Sequence, residues 1–359
     1  MTTIFDYLKW RGDLSFSDIR PCAADSMMLA MMSYVDYAKL CGGEEKTLHD
    51  AAALYCANGK YDSVNLGLIM PSKQINRLFC EAGKSKRFGS ARITDFDSRT
   101  DDREGYQFCA VTYHFPGKQM MVIFRGTDDS IAGWREDCML SFLDEIPAQR
   151  MAVEYLEAVA QKYPDEKIYT TGHSKGGNLA VYAAVNSSDA VRARIVRAYS
   201  HDGPGFSMEM IKSEKYRRMQ RKLSIIVPQS SYIGIMFEKG EKYTVIKCRG
   251  KGLFQHDPFQ WELDGPDFIK LPKLSRWGEN NEKQFRAGMN RMTADEKREF
   301  VETFFRIVDS TGAKTLTEFS SGSLKNLIKA IKAYKGLDKA KREMMLTILL
   351  RMFDLKKDK

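Results

Sequence analysis

The sequence predicts a doubly wound α/β fold, in which a mostly parallel β-sheet carries helices on both faces. Strand-like runs alternate with helical segments over about 170 residues, and this alternation is typical of parallel strands joined by right-handed crossovers. The length of 359 residues exceeds that of most single domains. We therefore expect a helical N-terminal segment (residues 1–83) packed on an α/β core (84–275), followed by a helical, basic C-terminal extension (276–359).

The first 83 residues show the periodicity of helices. The stretch "ADSMMLAMMSYVDYAKL" repeats apolar side chains at helical spacing, namely Met27, Met28, Met31, Met32 and Val35. Methionines in such number are typical of an irregular core seam. We interpret them as core residues rather than as part of a lid or a cofactor site.

Strand character begins near Phe88. The runs "FCAVTYHF" and "QMMVIFR" are separated by "PGK", which predicts a hairpin leading into a central strand. A helix that begins at Pro147 and ends before Pro164 comes next. Later strands are predicted at "KIYTTG", "ARIVRAYS", "KLSIIVP" and "YTVIKC", with a helix over 175–187. Beyond the core, Thr293 and Glu296 predict a capping box at the start of a further helix.

The basic charge lies mainly in the C-terminal tail. The chain has a formal net charge of +9, and residues 321–359 contain eleven lysines and arginines against four acidic residues. The nearly neutral body argues against a nucleic-acid-binding core. In "SLKNLIKAIKAYKG", Lys325, Lys329 and Lys332 share one helical face. This pattern fits either a helix packed on the body, which we favour, or peripheral contact with an anionic membrane.

The sequence predicts a cytoplasmic protein. No apolar run approaches the roughly 20 residues that span a bilayer, and the N-terminus lacks the charged start and apolar centre of a secretory signal. The seven cysteines are odd in number and scattered, without a C-x-x-C pair. We therefore expect mostly reduced, buried thiols and no zinc site.

The stretch "YTTGHSKGGNLAVYAA" places Ser174 at a tight turn between a strand and a small-residue helix. Gly172 and Gly176 flank the serine in a G-x-S-x-G pattern, where larger side chains would collide with the neighbouring strand and helix. The turn raises the hydroxyl above the sheet edge, at the positive end of the following helix. We interpret Ser174 as a nucleophile at a nucleophile elbow.

A serine nucleophile needs a base, and the chain contains five histidines. His173 adjoins the nucleophile and is expected to point elsewhere, while His49 and His114 precede the serine, against the order of serine, acid and histidine that accompanies this turn. His201 and His256 are left. We favour His256 because it follows the last predicted strand in a loop-like stretch, "FQHDPFQW".

The loop "MVIFRGTDDS" is expected to complete an oxyanion hole. One donor is the backbone N–H of Lys175, the residue after the nucleophile, and a second comes from the loop after an earlier strand. Thr127 follows Arg-Gly in that loop and is expected to offer its backbone N–H and its hydroxyl. The alternative is a plain turn in which Thr127 caps the next helix.

These stretches resemble known families. "VIFRGTDDSIAGWREDCML" and "IYTTGHSKGGNLAVYAA" are similar to the class 3 (fungal-type) lipases, whose oxyanion threonine or serine follows Arg-Gly and whose nucleophile lies in Gly-His-Ser-x-Gly-Gly. "AADSMMLAMMSYVDY", "SHDGPGF", "VPQSSYIG" and "QHDPFQWE" resemble more closely the bacterial, lipase-like Mbeg-like family of unknown function. The resemblance covers roughly residues 1–275. It implies an α/β-hydrolase fold and hydrolysis of carboxylic esters or lipids.

The acid of the expected triad departs from the lipase pattern. Class 3 lipases place an aspartate just before Val-Pro, where this sequence has Ile225 and Ile226. We favour Asp202 in "SHDGPGF" as the residue that orients His256, because it follows the strand after the nucleophile helix. Asp257 is the second candidate. The third is a dyad oriented by a polar side chain after "KLSIIVP": Gln229, Ser230 or Ser231.

The sequence thus predicts a serine hydrolase, a carboxylesterase or lipase-like enzyme that forms an acyl-enzyme on Ser174 without a metal or an organic cofactor. Its substrate is expected to be a small-molecule or lipid ester. The alternatives are an acyltransferase or thioesterase at the same site, and a catalytically weak or inactive protein that binds a ligand or partner. Apolar residues at 27–35 and 231–237 are candidates for an acyl pocket, but we interpret both stretches as core.

Overall fold

The fold is built on one large β-sheet. The computed structural model describes residues 2–58, 72–240, 242–320, 324–339, 341–343 and 345. Its strands are β1 (Lys46–Thr47), β2 (Arg92–Asp101), β3 (Tyr106–Phe115), β4 (Gln119–Phe124), β5 (Lys167–His173), β6 (Ile195–His201), β7 (Leu223–Pro228), β8 (Thr244–Ile246), β9 (Leu263–Asp264), β10 (Asp267–Phe268) and β11 (Lys270–Leu271). The main sheet has the order β1-β2-β3-β4-β5-β6-β7-β8-β11, and β9 pairs with β10 separately. Strands β4 to β8 run parallel, and the other neighbours are antiparallel.

The strands follow the predicted runs. β3 and β4 form the hairpin expected around the "PGK" turn, and every residue of β4 is buried. Continuously apolar strands are typical of a parallel sheet that is covered on both faces. Along β4, Met121 and Ile123 belong to one apolar core, while Met120, Val122 and Phe124 belong to the other. The sheet is therefore the middle layer of three.

The helices that precede β2 in the sequence cover one face of the sheet. They are α1 (Ile4–Arg11), α2 (Ala23–Met32), α3 (Tyr37–Cys41), α4 (Leu48–Asn58), α5 (Ser72–Lys84) and α6 (Lys86–Gly89). The four methionines of α2 are fully buried in the core on this face, as the sequence predicted. A buried ion pair joins α6 to α2, with Nε of Arg87 2.7 Å from Oδ1 of Asp25.

Helices of the α/β core cover the opposite face. They are α7 (Ile131–Met139), α8 (Pro147–Lys162), α9 (Lys175–Asn186), α10 (Asp189–Arg194), α11 (Met208–Lys212) and α12 (Glu214–Met219). Because β4 to β8 follow one another across the sheet in sequence order, right-handed crossovers place their helices on one face. α8, α9 and α12 share a core with the strands on that face. Helices thus lie on both faces, as predicted, and the N-terminal helices supply one of the two layers.

The C-terminal helices pack next to α7. They are α13 (Arg276–Asn290), α14 (Ala294–Thr311), α15 (Leu316–Ser320) and α16 (Leu324–Gly336). Thr293 and Glu296 form the predicted capping box at the start of α14. Val301 and Phe305 of α14 share an apolar cluster with Ile131 of α7. These contacts attach the C-terminal helices to the helix that follows the Arg-Gly-Thr loop.

The basic helix predicted in the tail is α16. Its Ile328 and Ile331 are 56% and 44% exposed, whereas Lys329 donates a hydrogen bond to the backbone oxygen of Thr311 at 2.9 Å. The Lys325 side chain lies outside the described residues. Neither α16 nor any other helix in the described part of the chain combines the length and apolar character that a bilayer crossing requires.

One pair of cysteines departs from the expectation of reduced thiols. Cys56 of α4 and Cys80 of α5 form a disulfide. The two helices pack side by side and bring the Cα atoms of these cysteines to 6.3 Å, within the range that a disulfide bridges. The other five cysteines are free, and Cys41, Cys109 and Cys248 among them are buried, as expected for mostly reduced thiols.

Candidate active site

Ser174 lies at a strained turn between β5 and α9. Its backbone has φ = 58° and ψ = −133°, a region that residues with a side chain rarely adopt. Such strain persists only where the surroundings fix the backbone, and it is concentrated at functional sites. Here the N–H of Ser174 donates to the backbone oxygen of His201 at 3.0 Å, and the oxygen of Ser174 accepts from the N–H of Gly177 at 2.9 Å.

The two glycines that flank the serine allow strand and helix to touch. A Cβ on Gly172 would come within 2.2 Å of the backbone of Gly176, and a Cβ on Gly176 within 2.1 Å of the backbone oxygen of Phe124. Distances this short do not occur between real atoms of this kind, so a side chain at either position would push α9 away from β4 and β5. The turn predicted from the G-x-S-x-G pattern is present.

His256 and Asp202 are in direct contact. Nδ1 of His256 lies 2.6 Å from Oδ2 of Asp202, and a carboxylate partner keeps the proton of a neutral imidazole on that nitrogen. The other ring nitrogen, Nε2, is therefore the acceptor. The imidazole is 12% exposed, and His256 lines the same cavity as Ser174. The structure brings together the histidine and the acid that the sequence favoured.

Asp202 is held in place through its second oxygen. It is fully buried directly after β6, with φ = 52°, a conformation that aspartate adopts more readily than most residues. Oδ1 accepts hydrogen bonds from the hydroxyl of Ser231 at 2.6 Å and from the N–H of Gly234 at 3.1 Å. Ser231, one of the side chains considered for orienting a dyad, thus orients Asp202.

The other candidates for orienting the histidine have different partners. Asp257 caps a 3₁₀ turn, where its carboxylate accepts from the N–H of Phe259 at 3.0 Å. Gln229 hydrogen-bonds to the backbone of Cys248. The hydroxyl of Ser230 lies 2.6 Å from that of another serine. Of the four alternatives to Asp202, only Ser231 is connected to His256, and the connection runs through its hydrogen bond to Asp202.

His173 supports the loop that carries His256. Its ring is fully buried and lies 4.3 Å from the ring of His256, centroid to centroid. Burial lowers the pKa of His173 well below its ordinary value, so the ring is neutral. Nε2 donates to the backbone oxygen of His256 at 2.9 Å. His173 therefore fixes the position of the neighbouring loop and does not line the cavity.

The remaining three histidines have partners away from the cavity. Nε2 of His201 lies 2.8 Å from the hydroxyl of Ser26, both side chains are fully buried, and burial lowers the pKa of His201 to about 3. His114 contacts a threonine and a glutamate side chain. His49 contacts a backbone oxygen. Elimination from the sequence and the structure therefore favour the same histidine.

The cavity beside Ser174 and His256 is large and mostly apolar. Its volume is about 450 Å³, within the range of about 300–1,000 Å³ that is usual for small-molecule pockets. The apolar side chains that line it are those of Tyr34, Trp134, Leu140, Pro204, Tyr232, Ile233, Met236, Phe237 and Leu253. Leu253 is 55% exposed and lies at the mouth.

The stretch "SYIGIMF" supplies four of these lining residues. We interpreted residues 231–237 as core, and that interpretation is wrong for Tyr232, Ile233, Met236 and Phe237. Ile235 alone of these apolar residues belongs to the buried core. The reason is that this stretch is a loop after β7, so its side chains do not alternate as they would along a strand, and one side of the loop faces the cavity.

The Arg-Gly-Thr loop lies against the nucleophile turn. A Cβ on Gly126 would come within 3.2 Å of the Cβ of Ser174, so the two backbones are in close contact. Thr127 and Lys175, the two predicted oxyanion donors, both line the cavity. Ser130, not Thr127, caps α7. The hydroxyl of Thr127 is buried beside the carboxyl of Asp137, and its interaction with that carboxyl lowers the pKa of Asp137.

The side chain of Lys175 is buried beneath the turn. Its Nζ donates to Oε2 of Glu136 at 2.8 Å and to the backbone oxygen of Gln107 at 2.9 Å. Glu136 is fully buried and also accepts from the N–H of Ala148. This ion pair joins α9 to α7. The pairing could not be predicted from the sequence, because the partners are far apart along the chain and the patterns in which they lie do not indicate that the two side chains meet.

Asp137 is a buried carboxyl in the cavity wall that the sequence reasoning missed. Burial in the cavity wall raises its pKa to about 6, and the charge of Lys175 and a hydrogen bond with Thr127 act in the opposite direction. A carboxyl with a raised pKa in a cleft is typical of functional sites. The available signal was the acidic pair in "GWREDCML", directly after the oxyanion loop. In the described residues no group of three or more His, Cys, Asp or Glu side chains is placed to hold a metal ion.

Comparisons with known proteins agree with the resemblance found in the sequence. The profile of the Mbeg1-like family matches residues 82–306, and no curated protein sequence matches the chain. A fungal lipase–inhibitor complex is 13% identical, with 63% of this chain and 78% of that chain covered and a TM-score of 0.39. For the native Rhizomucor miehei lipase–propeptide complex these values are 14%, 67%, 80% and 0.37. For Lip2 lipase from Yarrowia lipolytica they are 16%, 49%, 82% and 0.31.

Proposed function

We propose that this chain, which belongs to the Mbeg1-like family, is a serine hydrolase that cleaves carboxylic esters through an acyl-enzyme. One observation carries the proposal. Asp202 contacts Nδ1 of His256 at 2.6 Å, and His256 shares an apolar cavity with a strained serine, Ser174. Nucleophile, base and orienting acid are the three parts that this chemistry requires.

In the proposed first step, the hydroxyl oxygen of Ser174 attacks the ester carbonyl carbon. Nε2 of His256 takes the serine proton, and Asp202 stabilises the imidazolium that forms. When the tetrahedral intermediate collapses, the bond to the alcohol breaks and His256 returns the proton to the leaving oxygen. Water then attacks the acyl-serine with the same assistance, releasing the carboxylic acid and restoring the hydroxyl.

The negative charge of the tetrahedral intermediate requires donors that are already in place. We propose that the backbone N–H of Lys175, at the start of α9, is one of them, since the first N–H groups of a helix have no partner within it. Thr127 supplies the second donor. Its buried hydroxyl interacts with the carboxyl of Asp137 in the free protein and would donate to the oxyanion once substrate is bound.

The Asp202–His256 contact also bears on the rival function, a weak or inactive protein that binds a ligand or partner. The observation that favoured this function is the absence of an aspartate just before Val-Pro, where Ile225 and Ile226 stand instead. A carboxylate from the neighbouring strand end now faces the histidine. This contact favours an active enzyme. The acceptor is taken as water, and an acyltransferase or thioesterase would use the same residues.

A panel of p-nitrophenyl esters of increasing chain length tests the proposal. The purified chain should release p-nitrophenol in a burst followed by a slower steady rate if acyl-enzyme hydrolysis is the slower step. Ser174→Ala should abolish both phases while the circular dichroism spectrum stays unchanged. Wild-type protein that hydrolyses no ester of the panel, or a Ser174→Ala variant that keeps the rate, would contradict the proposal.

The membrane contact considered for the C-terminal segment is a separate proposal. The exposed Ile328 and Ile331 of α16, among lysines, fit an anionic surface better than a neutral one. We expect the chain to sediment with vesicles that contain phosphatidylserine and not with vesicles of phosphatidylcholine alone. Equal sedimentation with both kinds, or with neither, would contradict this contact.

A further inference from the structure

A second, smaller cavity adjoins the one at Ser174. Its volume is about 100 Å³, and it shares four wall residues with the main cavity: Asp137, Cys138, Met236 and Phe237. Its distant wall comes from the C-terminal helices and the turn between them and is mostly apolar, with Phe285, Met289, Met292, Phe300 and Val301 beside Lys297. The C-terminal helices therefore enclose a space that lies next to the candidate active site.

Phe237 lies at the boundary between the two cavities in a strained conformation. Its backbone has φ = 60°, which is a genuine outlier for a bulky residue that is not glycine. Its ring packs edge-on against Phe285 of α13, with centroids 5.8 Å apart. Strain of this kind costs of order 1–3 kcal/mol and persists only where the surroundings hold it. The position of this ring is therefore imposed by its neighbours.

A charged network fixes the segment after Phe237 to α13. Arg286 of α13 donates two hydrogen bonds of 2.7 Å to the carboxylate of Glu238. Lys239, only 2% exposed, lies 3.5 Å from Glu282 of the same helix. Both contacts of Arg286 with Glu238 come from Nη1, and charge-assisted hydrogen bonds of this kind are stronger than neutral ones. Helix α13 is thus joined to the loop that lines the main cavity.

We propose that the acyl chain of a long-chain ester extends past Phe237 into this second cavity, so that the C-terminal helices set the chain-length preference. This inference rests on the proposed ester hydrolysis. It names the substrate class as esters of long, unbranched fatty acids. A short acyl group fits in the main cavity alone, whereas a longer one gains apolar contact with Met289, Met292 and Phe300. Phe237 divides the two spaces.

A substitution that fills the second cavity tests the proposal. Met289→Trp adds a large side chain to its wall, and Gln284→Trp is the matched control, because Gln284 lies on the same helix and is exposed. The measured quantity is kcat/KM for p-nitrophenyl palmitate divided by that for p-nitrophenyl acetate. We expect Met289→Trp to lower this ratio at least about tenfold, and Gln284→Trp to leave it unchanged. An unchanged ratio in a folded Met289→Trp variant would overturn the proposal.

Removing the side chain between the two cavities should change the ratio of palmitate to acetate activity in the opposite direction. Phe237→Gly removes the ring and suits the positive φ, so the ratio of palmitate to acetate activity should rise. A ratio that falls or stays equal would contradict a dividing role for Phe237. If acetate ester is hydrolysed in a Ser174-dependent manner but neither variant changes the ratio, the second cavity is not used and the proposed hydrolysis stands.

A binding measurement tests the second cavity independently of ester hydrolysis. The Ser174→Ala protein cannot form an acyl-enzyme, so its affinity for the fluorescent fatty acid cis-parinaric acid reports on the cavities alone. We expect Met289→Trp, placed in the Ser174→Ala background, to weaken binding at least about tenfold relative to Gln284→Trp in the same background. If no ester is hydrolysed but this difference is found, the second cavity stands and the catalytic proposal fails. Equal binding would overturn the second cavity.

Discussion

The molecule contains two serine–histidine pairs that differ in almost everything except residue type. Ser26 and His201 meet at 2.8 Å inside the core, where both are fully buried. Ser174 and His256 line an apolar cavity. His201 and Asp202 are neighbours in sequence, yet His201 points to α2 while Asp202 points to His256. One strand end thus serves both pairs.

Three differences separate the pairs physically. Nδ1 of His256 has a carboxylate partner, whereas Nδ1 of His201 has no partner. Burial lowers the pKa of His201 to about 3, so its ring cannot hold a proton near neutral pH. Ser174 also has a strained backbone and access to a cavity. A serine and a histidine at hydrogen-bonding distance, such as Ser26 and His201, therefore do not form a catalytic site without a charge partner for the histidine and access for the substrate.

Removing the charge partner of His256 should lower ester hydrolysis more than removing an oxyanion donor or the serine of the core pair. Asp202→Asn keeps the size of the side chain but no longer stabilises the imidazolium, and in triads of this kind the loss in turnover is about 10⁴-fold. Asp257→Asn is the matched control, because Asp257 caps a turn and asparagine caps about as well. We expect the control to keep ester hydrolysis within about threefold. Equal losses in both variants would contradict the assignment of Asp202.

Removing an oxyanion donor should have the next largest effect. Thr127→Val keeps the shape of the side chain and removes the hydroxyl, and loss of one such donor usually lowers kcat by about 10²–10³-fold. The backbone N–H of Thr127 persists in the variant, so we expect a loss at the lower end of that range. KM should change little if the hydroxyl acts on the transition state. A rise in KM at constant kcat would instead indicate ground-state binding.

Removing the serine of the core pair should affect stability and leave the chemistry intact. Ser26→Ala deprives His201 Nε2 of its partner in a dry environment, which costs about 1–3 kcal/mol of unfolding free energy. Urea unfolding measures this loss, and the ester assay should give a kcat within about twofold of the wild-type value. A large loss of kcat in folded Ser26→Ala would show that the core pair takes part in the reaction.

The smallest expected effect is the contribution of the buried His201 to the pH dependence of stability. His201 has a folded-state pKa of about 3, below the value of about 6.5 in an unfolded chain. Below pH 6.5 only the unfolded state takes up the proton, so this histidine makes the protein less stable as the pH falls towards 3. The slope is about 1.4 kcal/mol per pH unit. His201→Gln should flatten the stability profile by this amount between about pH 6 and pH 4. An unchanged profile would contradict a neutral, buried His201.

The parts of the candidate site that lie in local patterns were predictable from the sequence. The glycines around Ser174 indicate the turn, because only residues without a side chain fit where the strand and the helix touch. His256 followed by elimination among five histidines. Asp202 was favoured because it lies at a neighbouring strand end from which a carboxylate can reach the histidine, whereas Asp257 is adjacent to His256 in sequence and consecutive side chains usually diverge. The strands of the sheet were predictable for the same reason, since alternation and apolar runs are local.

Long-range packing was not predictable in this way. The disulfide of Cys56 with Cys80 and the ion pair of Lys175 with Glu136 depend on how helices dock, and no pattern in the sequence marks either pair. "SYIGIMF" was interpreted as core because apolar spacing does not distinguish a core from a cavity wall. The second cavity likewise exists only because α13 and α14 pack over the loop that contains Phe237.

The most direct test of the difference between the two pairs is labelling with a fluorophosphonate, which reacts with activated serines. We expect one label per chain, located on Ser174 by peptide mass spectrometry, absent from Ser174→Ala and retained in Ser26→Ala. A folded wild-type protein that takes up no label, or a label that persists in Ser174→Ala, would contradict the role of Ser174 as the nucleophile.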